Sequence, residues 1–161
     1  MSDIEQHGWV SAPMTVEPEW IDYNGHLNMA YYNVLFDRGV DGAFEEFGLG
    51  PDYKDATGHS FYTAEAHVRY ERELKEGDRV RATFRILDHD AKRLHAFQEL
   101  VHEDGWTAAT SETMSLHVDL SGPKVAPFPD DVERRIKAMA EDHAKLPRPE
   151  RAGQPIGIRR K

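Results

Sequence analysis

The sequence predicts an α+β fold in which a curled five-stranded antiparallel sheet wraps around one long central helix, with a short helix near the C-terminus. Residues 29–47 carry apolar side chains on most sides of a helix. Four later segments read as strands joined by hairpin-sized gaps, which favour antiparallel pairing because parallel neighbours need long crossovers. A flat sheet cannot hide a helix that is apolar on most sides, whereas a curled sheet can.

The long helix gives the clearest pattern in the chain. Asn28 is a suitable N-cap, and Gly48 is a suitable residue just beyond the last turn. Between them, apolar residues recur at steps of three and four, the spacing of one helix face. These recurring residues are Met29, Tyr32, Phe36, Val40, Ala43 and Phe47. Further apolar residues widen this face, so we expect a helix that is buried on most sides.

Strands account for most of the remaining elements. A first strand is expected in Trp9–Trp20, where prolines place it at an edge or bend it. A short charged helix is expected at Asp130–Lys145, which has a thin apolar stripe. The order of strand, buried helix, antiparallel strands and small helix is that of the hot-dog architecture. The four later strands are expected at Ser60–Glu71, Arg79–Asp88, Lys92–His102 and Trp106–Leu120.

Composition and charge exclude several functions. The 161 residues suffice for one domain with its own core, and 20 basic against 29 acidic residues give a net charge of −9. Nucleic-acid binding is not expected, because phosphates require a basic face. The absence of cysteine excludes thiol nucleophiles and disulfide scaffolds. No apolar run approaches a membrane span and the first residues carry no secretory pattern, so we expect a cytoplasmic protein without membrane contact.

The chain is expected to divide into a folded domain, residues 1–146, and a basic, proline-containing tail, residues 147–161. The tail fits a disordered, solvated terminus, and it also fits an arm that folds onto a phosphate-bearing ligand or a neighbouring subunit. Four or five strands leave apolar edges and aromatic surface uncovered. A homodimer or a dimer of dimers is therefore expected.

A polar cluster stands directly before the long helix. Asp22, Asn24, His26 and Asn28 fall within seven residues, beside a helix N-terminus whose free N–H groups point outward. Such amides stabilise an oxyanion, and a carboxylate beside them acts as a nucleophile or as a general base for water. The cluster therefore fits ester or thioester hydrolysis without serine, cysteine or metal. It also fits a set of Asx-turn and capping residues that only orders the loop.

The segment Trp20–Tyr32 (WIDYNGHLNMAYY) resembles the signature of hot-dog thioesterases of the 4-hydroxybenzoyl-CoA thioesterase type. Three further segments, Phe61–His67, Asp90–Phe97 and Ala109–Asp119, are more similar to betainyl-CoA thioesterases, which occur alone or fused to L-carnitine dehydrogenase. The resemblance spans most of residues 10–135. It implies hydrolysis of a short acyl-CoA, best matched by betainyl-CoA, without a cofactor beyond the CoA of the substrate. Another acyl group, such as 4-hydroxybenzoyl or fatty acyl, is the alternative within the family.

The resemblance also implies catalytic roles. Asp22 matches the family's catalytic carboxylate, and Asn24 and His26 match positions that support it in related thioesterases. A backbone N–H in the first helical turn, near Asn28 or Met29, would polarise the thioester carbonyl. Attack by Asp22 itself and attack by a water that Asp22 activates both remain open.

Asp37 is the second candidate for the catalytic carboxylate, because another branch of the superfamily takes this group from the central helix. Asp37 and Asp41 lie four residues apart on one helix face, and Arg38 is near enough to pair with Asp41. These charges also fit an ordinary solvent-facing side of the helix, held by a salt bridge.

Recognition of a betainyl group has its own requirements. Its permanent ammonium cannot donate a hydrogen bond, so aromatic faces, with or without a carboxylate, are expected to bind it. Such aromatics also suit a plain core. The Glu65 carboxylate lies between two alanines on a strand and needs a partner, which the cationic acyl group or a neighbouring Arg or His could supply. The substrate-binding candidates are Trp20, Tyr23, Tyr31, Tyr32, Glu65 and Phe97.

The phosphates of CoA need cations, and the candidates are Arg69, Arg72, Lys92 and Arg93, each of which also fits a solvated surface charge. No metal is expected, because histidines in the strands occur singly and without ligand spacing. Two alternatives to a thioesterase share the fold. One is a non-catalytic module that binds acyl-CoA, and the other is an enoyl hydratase, whose motif differs from the one here.

Overall fold

A computed structural model of the chain describes residues 3–161, and its core is one curled sheet with helices packed against it. Short 3-10 turns lie at Asp3–His7 and Pro18–Trp20. The helices are α1 (Met29–Glu46), α2 (Pro51–Thr57) and α3 (Asp130–His143). The strands are β1 (Trp9–Val10), β2 (Met14–Thr15), β3 (His59–Tyr70), β4 (Arg79–His89), β5 (Arg93–His102), β6 (Thr107–Asp119) and β7 (Lys124–Val125).

The sheet is antiparallel and has the strand order β1-β4-β5-β6-β3. This order confirms the predicted curled antiparallel sheet, although β2 and β7 bring its strand count to seven instead of five. Its four long strands begin and end within a residue or two of the expected positions. The first predicted strand is divided, because β1 and β2 are two separate pairings with β4 and Pro13 lies between them. The short strand β7 adds a further pairing with β6.

Helix α1 begins and ends where the sequence predicts. The Asn28 side chain accepts a hydrogen bond from the Ala30 N–H at 2.9 Å, and Gly48 has a φ of +72°, which favours glycine. The expected burial on most sides is wrong for a single chain, since Met29 is 65% exposed and an opposite face carries charges. The residues of the buried face are Tyr32, Leu35, Phe36, Gly39, Ala43 and Phe44.

Gly39 sets how closely α1 approaches the sheet. A Cβ at this position would lie 2.4 Å from the Cβ of Ala82 on β4, so any larger residue would push the helix outward. Beside this contact, the buried Gln98 side chain on β5 donates a hydrogen bond to the Phe36 carbonyl at 3.1 Å. The helix is thereby held across β4 and β5 in a defined position, with its N-terminus at one end of the sheet.

The tail lies across the outer face of the sheet, the face opposite α1. The buried guanidinium of Arg85 donates to the Pro147 carbonyl at 2.6 Å, and the Arg151 Nε lies 2.9 Å from the Glu71 carboxylate. Further along, the Gly153 N–H donates to Glu112 at 2.9 Å. Pro149 and Arg151 also border Phe97 and Glu99 of β5, so the tail lies over β4, β5 and β6.

The two edges of the sheet differ in how far their backbone groups are paired. On the β4 edge, β1 and β2 supply partners, and the Nδ1 of His143 accepts a hydrogen bond from the Ile86 N–H at 2.9 Å. On the other edge, no strand within residues 3–161 pairs with the outer side of the 12-residue β3. None of the helices in that range is both long and apolar enough to cross a membrane.

Candidate active site

Asp22 opens a tight turn directly before α1. The Asp22 N–H donates to the His26 carbonyl at 3.0 Å, and Ile21 and Leu27 form an isolated antiparallel bridge that closes the base of the turn. Gly25 adopts a φ of +84°, a conformation that the turn requires and that glycine takes without strain. The Asn24 N–H donates to Asp22 Oδ1 at 2.8 Å, which fixes the partly buried carboxylate in an Asx turn.

The first turn of α1 offers a backbone amide to a ligand. The Ala30 N–H is taken by the Asn28 side chain, and the Tyr31 N–H donates to the Asn28 carbonyl at 3.0 Å. The Met29 N–H has no acceptor among residues 3–161. This amide lies at the positive end of the helix dipole and is therefore suited to an oxyanion.

The segment from Tyr70 to Leu74 holds the turn and the helix start in place. The Leu27 N–H donates to the Leu74 carbonyl at 2.7 Å, and the Leu74 N–H donates to the Tyr32 hydroxyl at 3.1 Å. The Tyr70 hydroxyl donates to the Met29 carbonyl at 3.2 Å. Burial raises the pKa of the Tyr32 hydroxyl, which therefore stays protonated at neutral pH.

Sequence reasoning missed Tyr70 and Leu74. The only signal at Leu74 is a single apolar residue within a run of charges, and that residue is fully buried in the structure.

A small cavity adjoins the turn. Its volume is about 210 Å³, and the Nε2 of His26 on its wall lies 3.3 Å from the Glu73 carboxylate. The rings of Tyr32 and Tyr70 stand nearly perpendicular, with centroids 5.0 Å apart. The residues that line the cavity are His26, Leu27, Tyr32, Tyr70, Glu71, Arg72 and Glu73.

The aromatic candidates before and after the turn have separate surroundings. Trp20 is only 7% exposed and stacks on Tyr31 at 5.7 Å, while the guanidinium of Arg38 lies 5.1 Å from the Trp20 ring centre. Tyr23, at the tip of the turn, is 98% exposed. Of the predicted aromatic candidates, Tyr32 is the one that lines the cavity beside His26.

The carboxylates of α1 lie away from the turn. Asp37 is eight residues beyond Met29, about 12 Å along the helix axis, and is exposed. The predicted pair of Arg38 with Asp41 is wrong, because Arg38 points to Glu17 at 3.5 Å. Partial burial, followed by the nearby carboxylates on the same face, raises the pKa of Asp41.

Two other substrate-binding candidates lie on the outer face of the sheet. Glu65 borders a cavity of about 470 Å³ together with the tail, and it lies five residues before Tyr70, about 16 Å along β3. Phe97 is buried on β5 beneath Pro149 and Arg151. The structure therefore does not bring these two side chains to the Asp22 turn.

The cationic candidates are divided between the two ends of the sheet. Arg69 lies 3.7 Å from Glu71, near the turn. Lys92 and Arg93 occupy the β4–β5 hairpin, separated from the site end by the ten residues of β5, roughly 30 Å. Arg93 donates to Asp90 at 2.6 Å. Within residues 3–161, no three His, Asp or Glu side chains converge as metal ligands would.

Comparison with known proteins identifies the family. Residues 16–136 match the model of the thioesterase-like superfamily. The chain belongs to this superfamily. It is 45% identical over 144 residues to a betainyl-CoA thioesterase from Pseudomonas aeruginosa, an alignment that covers 89% of this chain and 91% of that protein. Family membership confirms the predicted fold and assigns acyl-CoA thioester hydrolysis to the chain.

A longer fused protein and a solved structure are also similar to this chain. The chain is 40% identical over 147 residues to the L-carnitine dehydrogenase/betainyl-CoA thioesterase of Rhizobium meliloti, which covers 90% of this chain and 29% of that longer protein. A Staphylococcus aureus protein solved in complex with CoA superposes with a TM-score of 0.85 and 31% identity, covering 94% of this chain and 95% of that one. The thioesterase superfamily member described here thus corresponds to one part of the fused relative.

Proposed function

We propose that the chain hydrolyses betainyl-CoA to betaine and free CoA at the Asp22 turn. The relatives that carry this activity in their names are similar over most of this chain. The observation that carries the proposal is the position of the Asp22 carboxylate, fixed by the Asn24 N–H in a turn that leads directly to the free Met29 amide. This arrangement pairs a carboxylate with an oxyanion donor, a combination that can catalyse thioester hydrolysis.

The proposed reaction begins with attack on the thioester carbonyl carbon. In one route Asp22 removes a proton from water as the water oxygen bonds to that carbon, and the Met29 N–H stabilises the oxyanion. The carbon–sulfur bond then breaks and the thiolate of CoA takes up a proton. In the other route Asp22 attacks and forms an anhydride, which water hydrolyses. Both routes consume one water and release the acid and the thiol.

The test is release of free thiol from a panel of acyl-CoA substrates that includes betainyl, carnitinyl, 4-hydroxybenzoyl and straight-chain acyl groups. Betainyl-CoA is expected to have the highest kcat/KM. The Asp22→Asn variant is expected to lose at least ~100-fold in kcat, the usual contribution of a general base.

Asp37→Asn serves as the matched control and should retain the rate, because Asp37 is exposed and two turns into the helix. Loss of activity in Asp37→Asn with full activity in Asp22→Asn would refute the proposal. Thiol release from the other panel members alone would place the chain with a different acyl group.

We also propose that two copies pair through β3. Five consecutive residues of this edge strand, numbers 62–66, are exposed, and long exposed edges are a liability that proteins cover. An antiparallel pairing of two β3 strands would bring the β4–β5 hairpin of the second copy to the height of the Asp22 turn. Lys92 and Arg93 of that copy would then be available to the CoA phosphates. Light scattering should give twice the 18.4 kDa of one chain.

A further inference from the structure

The chemistry of a betainyl group restricts where its ammonium can bind. One methylene separates the nitrogen from the thioester carbonyl carbon, so an ammonium subsite has to adjoin the catalytic turn directly. This step rests on the proposed function. The cavity that contains Glu65 lies on the outer face of the sheet, whereas the cavity of about 210 Å³ has His26 of the turn in its wall. The cavity beside His26 is therefore close enough to the Asp22 turn to bind the ammonium.

We propose that this cavity binds the quaternary ammonium of the acyl group, with Tyr70 as its aromatic face and Glu73 as its carboxylate. The rings of Tyr32 and Tyr70 are inclined at 80° and form two adjacent walls. Tyr32 is 4% exposed and Tyr70 is 43% exposed, so Tyr70 presents the accessible ring. A cation that cannot donate a hydrogen bond is attracted to such a face by the ring quadrupole.

The charges around the cavity favour a cation. Both oxygens of Glu71 are engaged by Arg151, at 2.9 and 3.1 Å. Glu73 has no Lys or Arg partner within 4.0 Å among residues 3–161. Its carboxylate lies 3.3 Å from the His26 Nε2, and its side chain is 57% exposed. Glu73 therefore supplies the carboxylate that a bound ammonium would meet.

Arg72 also borders the cavity, but its charge is directed elsewhere. Its guanidinium carbon lies 4.1 Å from the ring centre of Trp106, which does not line the cavity. Trp106 in turn stacks on His102, with ring centroids 4.3 Å apart and an interplanar angle of 10°. This stack holds the guanidinium against Trp106 and away from the proposed ammonium position.

Hydrogen bonds connect the proposed subsite to the Asp22 turn and to the start of α1. Tyr70 donates its hydroxyl hydrogen bond to the carbonyl of Met29, the residue whose N–H is free for the oxyanion. His26 links the cavity wall to Asp22 through the backbone of the turn. An ammonium seated against Tyr70 would thus place the adjacent carbonyl near both reacting groups.

The experiment compares two substrates that differ in one atom. Betainyl-CoA and 3,3-dimethylbutanoyl-CoA have the same shape, but the second carries carbon in place of the charged nitrogen. The wild type is expected to prefer betainyl-CoA in kcat/KM. Tyr70→Leu and Glu73→Gln should each lower that preference at least about fivefold, while Tyr70→Phe, which retains the ring, should leave the preference unchanged.

The outcomes separate this subsite from the proposed activity. Equal loss on both substrates in Tyr70→Leu would show a structural role only and overturn the subsite. Loss of preference in Glu65→Gln instead of Glu73→Gln would move the ammonium to the outer cavity, with the same consequence. A wild type that hydrolyses both substrates equally well would refute the subsite and leave the thioesterase activity standing. Failure to hydrolyse either substrate would refute the proposed function itself.

Discussion

The His117 cluster at one end of the sheet and the Asp22 turn at the other use their polar groups differently. At the end opposite the Asp22 turn, His117 is completely buried, and its Nδ1 lies 2.8 Å from the Ala126 carbonyl. Since a carbonyl only accepts, Nδ1 carries the proton and Nε2 accepts from the Tyr53 hydroxyl at 2.7 Å. Phe61 and Phe128 pack against the same imidazole. Both ring nitrogens are thereby satisfied by the protein.

The end with the Asp22 turn leaves comparable groups open to a ligand. The Met29 N–H has no acceptor within residues 3–161, and the Tyr70 ring and Glu73 carboxylate are accessible. Backbone hydrogen bonds from Leu27 and Leu74 hold this end in shape without occupying those groups. We therefore expect the His117 cluster to contribute stability and the end with the Asp22 turn to contribute recognition, so substitutions at the two places should affect different measurements.

His117→Leu should produce the largest loss of stability. The substitution leaves the buried Tyr53 hydroxyl without its partner, which costs about 2 kcal/mol of unfolding free energy. Urea unfolding measures this loss, and kcat for the folded variant should stay at the wild-type value. The double variant Tyr53→Phe/His117→Leu should recover part of the stability, because both polar partners are then absent. A fall in kcat without a change in stability would contradict the division between the two ends.

Mild acid should weaken the fold through two histidines. Burial is the main cause that lowers the pKa of His117, and burial followed by the charge of Arg85 lowers the pKa of His143, both from 6.5. Below pH 6.5 the unfolded chain therefore binds more protons than the folded chain, and stability falls as the pH drops towards the folded pKa values. Well above that pH both histidines are neutral in both states, and their contribution is constant.

The urea midpoint at a series of pH values from about 8 to about 5 measures this effect. His143→Gln is the matched variant, because its amide can still accept the hydrogen bond from the Ile86 N–H while losing the titration. We expect a flatter profile for this variant. A wild-type midpoint that rises on acidification would contradict the prediction.

Elements with local signals were predictable from the sequence. The long helix and its Asn28 cap depend on neighbours within one turn, and the alternation in β4 depends on residues two apart. Helix α2 escaped prediction, because Pro51–Thr57 consists mainly of turn formers and polar residues. Its stability comes from tertiary burial of Tyr53 against His117, which no local pattern reports.

The Asp22 turn was predictable from the sequence, but the distant residues that hold it in place were not. The spacing of Asp22, Asn24 and His26 identified the turn, because all three lie next to the helix start. The bracing residues Tyr70 and Leu74 are more than 40 positions away, so their hydrogen bonds have no counterpart in the local sequence. Alternation likewise shows which residues of β5 share a face, but the tail decides what covers that face.

Tyr70→Phe should give the smallest effect of these substitutions. The variant keeps the ring of the proposed ammonium subsite and removes only the partly exposed hydrogen bond to the Met29 carbonyl. A net contribution of at most about 1 kcal/mol to stability is expected from such a bond. Because that carbonyl belongs to the residue with the free N–H, we expect kcat to fall about threefold on charged and neutral substrates alike, within the range of one weak hydrogen bond. An unchanged kcat with a lower urea midpoint would assign the hydroxyl to stability alone, and this part of the Asp22 end would then have the same role as the His117 cluster.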